Sequence, residues 1–199
     1  MMAYSDTAYV TFRPTVGEDR PDVFQRIEAD HQRLRDLLDQ LRHGRGRHSD
    51  PAHLFDQLCD AVEAYGAAAE QSLYAELLAR AGQEDQWPAR QAVAVHDMAE
   101  LMLFELSFME IDSADWHSGL DQLAGYLEDH FRLESGEVFL LAKSLLDRDE
   151  AVRLGSTYAQ ARLKWIDCFG RAAAASEPAF VTRPGFPDNG DRRSGGFHH

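Results

Sequence analysis

Cysteine is scarce in this chain: two in 199 residues, Cys59 and Cys168, far apart in sequence. That is too few for a disulfide framework or a cysteine-built metal knuckle. Long hydrophobic runs are lacking as well, so no membrane span is expected. The segment Met1–Asp6 has neither a basic flank nor an apolar stretch, so a secretory signal is not expected and a cytoplasmic location is. Positive charge is in deficit: 20 Lys and Arg against 34 Asp and Glu give a net charge of −14 and a pI near 4.9. Such a surface repels phosphate backbones, which argues against a nucleic-acid partner. The basic cluster Arg42-His43-Gly44-Arg45-Gly46-Arg47-His48 reads as a solvated loop between helices.

Hydrophobic residues make up 44% and charged residues 27%, an ordinary globular balance. Strand-like alternation is absent from the body of the chain, and apolar residues recur with helical period instead. Pro21-Asp22 opens a first helix carrying Val23, Ile27, Leu34, Leu37, Leu38 and Leu41, closed by the Gly44/Gly46 loop. Ser49-Asp50-Pro51 starts a second, with Leu54, Leu58, Val62, Ala69, Leu73 and Leu77, to about Ala81. A third is expected from about Ala89 to Ile111, with Val93, Leu101, Leu103 and Leu106. After Asp112–Asp115 a long fourth carries Leu120, Leu123, Leu127, Phe131, Val138, Leu141 and Leu145.

A shorter fifth helix fits Asp149 to Phe169. The expected class is all-α: an antiparallel up-down-up-down four-helix bundle with that fifth helix added. Its limits are residues 21–170, with an extended arm over 1–20 and a disordered tail over 171–199. Met98, Met102, Met109, Phe104 and Phe108 form a soft stripe on the third helix, expected to pack in the core.

An internal repeat raises this from a helical domain to a candidate site. His31 in the first helix and Glu70 in the second are 39 positions apart; His96 in the third and Glu134 in the fourth are 38 apart. His130 and Glu134, four residues apart, project from one face of their helix. Imidazole suits iron, zinc or copper, and carboxylates lower the charge of a buried site. Buried as bare anions, Glu70 and Glu134 would cost several kcal/mol each, a cost that a cation offsets.

The pattern resembles that of the hemerythrin-like (HHE cation-binding) family: His, then His-x-x-x-Glu, then His, then His-x-x-x-Glu on successive helices. Glu134-Ser135-Gly136-Glu137-Val138-Phe139 is similar to the acidic-then-aromatic stretch after the family's last histidine. The resemblance spans about residues 22 to 165 and implies a non-haem iron centre of one or two ions. Its ligands would be His31, Glu70, His96, His130 and Glu134. It implies handling or sensing of dioxygen, nitric oxide or iron, with a small diatomic ligand as the partner.

One position departs. Where the family carries its second histidine this chain has Gly66, which offers no ligand. Tyr65, Glu63 and Glu100 are the candidates to replace it, Tyr65 first because its bulk adjoins the glycine gap. A carrier or sensor is expected before an enzyme. The alternatives are an enzyme acting on peroxide or nitric oxide or repairing iron centres, and a bundle without a full metal site that serves as an interaction module.

Overall fold

A computed structural model describes residues 20–44 and 50–175; the expected N-terminal arm, most of the tail and the centre of the basic loop lie outside the described residues. Helix α1 (Val23–His43) starts on a reciprocal cap. The Asp22 carboxylate accepts from the Gln25 amide at 2.9 Å, and the Gln25 side chain accepts from the Asp22 amide at 3.0 Å. Helix α2 (Pro51–Ala69) starts at Asp50, with proline in its first turn. It runs through one wide turn, π1 (Glu70–Tyr74), into α3 (Ala75–Arg80).

Helix α4 (Trp87–Ser107) stops short of the expected Ile111, because the chain turns through Asp112, which holds a left-handed φ of 67°. Aspartate tolerates that region better than most side chains do. Ser113 caps α5 (Ala114–Leu133), which passes through a second wide turn, π2 (Glu134–Val138), into α6 (Phe139–Leu145). Helix α7 (Arg148–Ala175) begins on a second reciprocal cap, between Asp147 and Glu150, and its final alanines carry it past Phe169. The fifth helix, expected to be the shorter one, is therefore 28 residues long against 21 for α1 and for α4. Among the described residues there is no strand, and no helix is long and apolar enough to cross a membrane.

Helix α1 packs on α2 and α5, and α4 on the same two, so four helices close a ring; α7 lies against α1 and α2. Ile27, Leu34, Leu58, Leu73, Leu120 and Leu123 are fully buried between them, and Trp116 sits edge-on to Phe55. The expected core stripe on α4 needs correction. Leu101, Phe104 and Phe108 are 48%, 60% and 75% exposed, Met98 and Met109 are also exposed, and only Met102 packs partly against the core. The buried face of α4 is instead Ala89, Ala92, His96, Ala99, Leu103 and Leu106. Small residues there bring the helix close to its neighbours and turn the large apolar side chains outward.

Candidate metal centre

Each wide turn begins on a carboxylate of the internal repeat, Glu70 in one and Glu134 in the other. Single turns of this kind interrupt α-helices frequently where a site is built. The imidazoles come from regular helix: His31 from α1, His96 from α4 and His130 from the last turn of α5, all buried.

Four of the five expected residues meet in one interior network. His31 Nε2 lies 2.7 Å from Glu134 Oε2, and the His31 ring stacks on Phe131 at 4.1 Å. His96 Nε2 lies 3.1 Å from His130 Nε2. Glu134 is fully buried. Glu70 joins only at the edge: it is 39% exposed and touches His96 Nδ1 at 3.0 Å.

Tyr65 stands in the middle. Its hydroxyl is 2.8 Å from His130 Nε2 and 3.2 Å from His31 Nε2, and it donates a short hydrogen bond to Glu134 Oε2. Of the three candidates to stand in for the missing histidine, only Tyr65 reaches the network. Glu63 and Glu100 make no hydrogen bond to it; Glu63 is half-buried on α2 and Glu100 is exposed on α4. Both carboxyls are raised above their usual range, first by burial, then for Glu63 by Glu100 and for Glu100 by Glu70. Gly66 has its own explanation: the His96 ring lies over it, and a β-carbon there would stand 3.3 Å from His96 Nδ1. The glycine makes room for the third imidazole.

Tyr74 was not foreseen. From the far end of π1 its hydroxyl donates to Glu134 Oε1 at 2.5 Å, and its ring stacks on His96. The available signal was its place four residues after Glu70, matching Val138 in the other half.

The network fixes its own charges. Burial raises the Glu134 carboxyl, but the hydrogen bond from His31, the imidazole charges and Tyr65 outweigh it and hold the group down at about 2. Burial pushes His130 down to about 3, against the pull of Glu134. Burial and the neighbouring Glu134 hold both phenols well above their ordinary range. A consistent set of protons has His31 Nε2–H and both phenols donating to Glu134. His96 Nδ1–H donates to Glu70, and His130 Nε2–H is shared by His96 and Tyr65. His130 Nδ1 is left buried without a partner.

Helix-borne imidazoles converging with repeat carboxylates inside a four-helix ring are what a carboxylate-and-histidine bundle requires, and the sequence match agrees. The profile of the Hemerythrin HHE cation binding domain matches residues 22–142. The chain belongs to the hemerythrin HHE cation-binding domain family. A crystal structure of a Hemerythrin HHE cation binding domain-containing protein from Mycobacterium kansasii superposes with a TM-score of 0.68 at 14% identity. The superposition covers 78% of this chain and 94% of that one, and at such identity it speaks for the fold alone. No curated protein matches the chain.

Do the residues of this hemerythrin-type chain suit a cation? Among the described residues, no three His, Cys, Asp or Glu side chains enclose an ion-sized point by themselves. The chemistry of the donors suits a first-row ion. Tyr65 Oη lies within hydrogen-bonding reach of His31 Nε2, His130 Nε2 and Glu134 Oε2, and these groups bond to one another rather than surround an ion-sized point.

Proposed function

We propose that this chain is a non-haem iron protein whose ion is held by His31, His96, His130 and Glu134, with Glu70 at the exposed edge and Tyr65 in place of the missing histidine. The observation that carries this reading is the gathering of three imidazole nitrogens, one carboxylate and one phenol oxygen within hydrogen-bonding distance of one another. Imidazole, carboxylate and phenol together favour iron over softer metals. When bound, iron would supply redox chemistry and affinity for a small ligand such as dioxygen, nitric oxide or peroxide. The residues around it do the rest. Phe131 holds the His31 ring in place, His31 keeps Glu134 ionised, and the buried surroundings exclude bulk water. A carrier or sensor is favoured over an enzyme, since every titratable group of the network is engaged in holding another. The short links Ala81–Gln86 and Phe108–Ser113 support an up-down-up-down path for the four helices.

Elemental analysis and the absorption spectrum of freshly purified protein test this. The expected result is one or two equivalents of iron with a phenolate-to-iron band that Tyr65→Phe abolishes. Iron-free protein from iron-replete cells would overturn it.

A second reading has its own observation. Tyr65 already satisfies His31, His130 and Glu134 with no ion present, as in a bundle that has exchanged metal for a hydrogen-bonded phenol and serves as an interaction module. On that reading, Gly66→His leaves metal content unchanged and only crowds His96.

A further inference from the structure

Where α7 lies against α1, the two helices border a pair of adjoining open clefts. One, about 600 Å³, is lined by Arg20, Asp22, Arg26 and Arg148 among others. The next, about 430 Å³, is lined by Asp30, Arg33, Tyr158 and Arg162, with Arg26 and Ala29 shared between the two. Gly155 sets the approach of the helices. A β-carbon there would lie 2.6 Å from the Pro21 carbonyl oxygen, so α7 crosses the start of α1 backbone to backbone.

The charges in this groove run against those of the chain, whose acidic residues number 34 against 20 basic ones. Several arginines elsewhere have carboxylates: Arg35 pairs with Glu128, Arg42 with Asp121, Arg80 with Glu76 and Glu150. In the groove the carboxylates are already committed. Asp22 caps α1. Asp30 accepts from the Tyr158 hydroxyl at 2.6 Å and has Arg162 Nε 3.0 Å away, paired by charge without a hydrogen bond. Arg20, Arg26, Arg33 and Arg148 form no ion pair among the described residues. Arg26 Nε is also buried and lacks any hydrogen-bond partner. A buried guanidinium donor without an acceptor suits an oxyanion, which accepts from the planar fork of such a group through two oxygens.

We propose that the α1–α7 groove binds a phosphate-bearing small anion, with phosphate oxygens taken by Arg26 and Arg148 at one end and by Arg33 at the other. Arg26 and Arg33 are two helical turns apart, about 10 Å along the axis, which suits a ligand with more than one phosphate group. The chain's overall charge excludes larger polyanions. A nucleic acid or an anionic membrane meets the whole negative surface, whereas a small ligand feels charges only within about 8 Å at physiological salt. Helix α7 lies beyond the segment that the family profile matches, so the profile covers only one wall of the groove.

Titration calorimetry of the full chain with tripolyphosphate, at near-physiological salt, tests the assignment. One site is expected, weakened at least about tenfold by Arg26→Gln combined with Arg148→Gln. It should be unchanged by Arg90→Gln, whose side chain bonds only to Gln86. The variants leave the interior centre intact, so any removal of iron by the probe is common to all of them and cancels. Without ligand, Arg26→Gln is expected to melt no lower than the parent, which a merely structural arginine would not allow. Absence of binding, equal affinity in the double variant, an equal loss in Arg90→Gln, or tighter binding of an oligonucleotide than of tripolyphosphate would each overturn the proposal.

Discussion

The two halves of the repeat share a plan and differ in depth. Each places a histidine on one helix and a glutamate at the start of a wide turn on the next. Yet Glu134 is wholly buried and receives hydrogen bonds from His31, Tyr65 and Tyr74, while Glu70 is 39% exposed and touches only His96. The difference traces to one residue. The second half has His130 four residues before its glutamate; the first has Gly66. His96 settles over the glycine, and Tyr65 fills the centre from the adjacent position. With one imidazole fewer in the first half, the polar contacts of the site fall on one carboxylate.

The most severe way to break this asymmetry is Glu134→Ala. It strands His31 and two phenols in the interior and should cost about 3–5 kcal/mol in urea unfolding, with loss of any bound iron. Glu70→Ala should cost under about 1 kcal/mol, because its oxygen already meets solvent. Near-equal losses would erase the distinction between the halves.

Acid should act next, and in one direction. Glu134 is held at about 2, below its unfolded value, so its stabilisation is present above roughly pH 4.3 and is lost as the pH falls through 2. His130, held at about 3, stays neutral when folded, while the unfolded imidazole takes up a proton below about pH 6.5. His130 makes stability decline as pH falls from about 6.5 to 3 and Glu134 as it falls from about 4.3 to 2, and Glu134→Gln should flatten the lower part of that curve. A melting temperature that rises on acidification would contradict the charge assignment.

Tyr65→Phe removes a hydroxyl that three groups use and should destabilise the protein by about 1–3 kcal/mol. Gly66→Ala is the finest probe. Helix propensity favours alanine by about 1 kcal/mol, and the 3.3 Å approach to His96 Nδ1 opposes it, so a net change within about 0.5 kcal/mol is expected. A clear gain would mean that His96 yields easily. Away from the site, Cys59 should resist alkylation at pH 8, because burial, with Glu63, Asp56 and Asp60 nearby, pushes its thiol up to about 12. Exposed Cys168 should react first.

Much of this was legible in the chain itself. The helix starts were carried by Asp22, Asp50-Pro51 and Ser113, and the converging histidines by the repeat. Glu70's exposure was not legible, since pattern alone gives it the same rank as Glu134. The stripe on α4 misled for a physical reason: bulk suggested burial, but the close contacts there are made by alanines. The wide turns had a signal that went unread. Tyr65, Ala69, Leu73 and Leu77 are buried at steps of four, as are His130, Glu134, Val138 and Ala142. An ideal helix drifts by about 40° at each such step. A turn with i→i+5 bonding takes up that drift and keeps the face aligned.

The outward row on α4 bears on how the molecule behaves in a tube. At neutral pH, fourteen surplus negative charges keep copies of it apart despite bare Phe104 and Phe108 rings. Near pH 4.9 that mutual repulsion vanishes, and the row becomes adhesive. Clumping in mildly acidic buffers would then be colloidal in origin, arising while every helix is still in place.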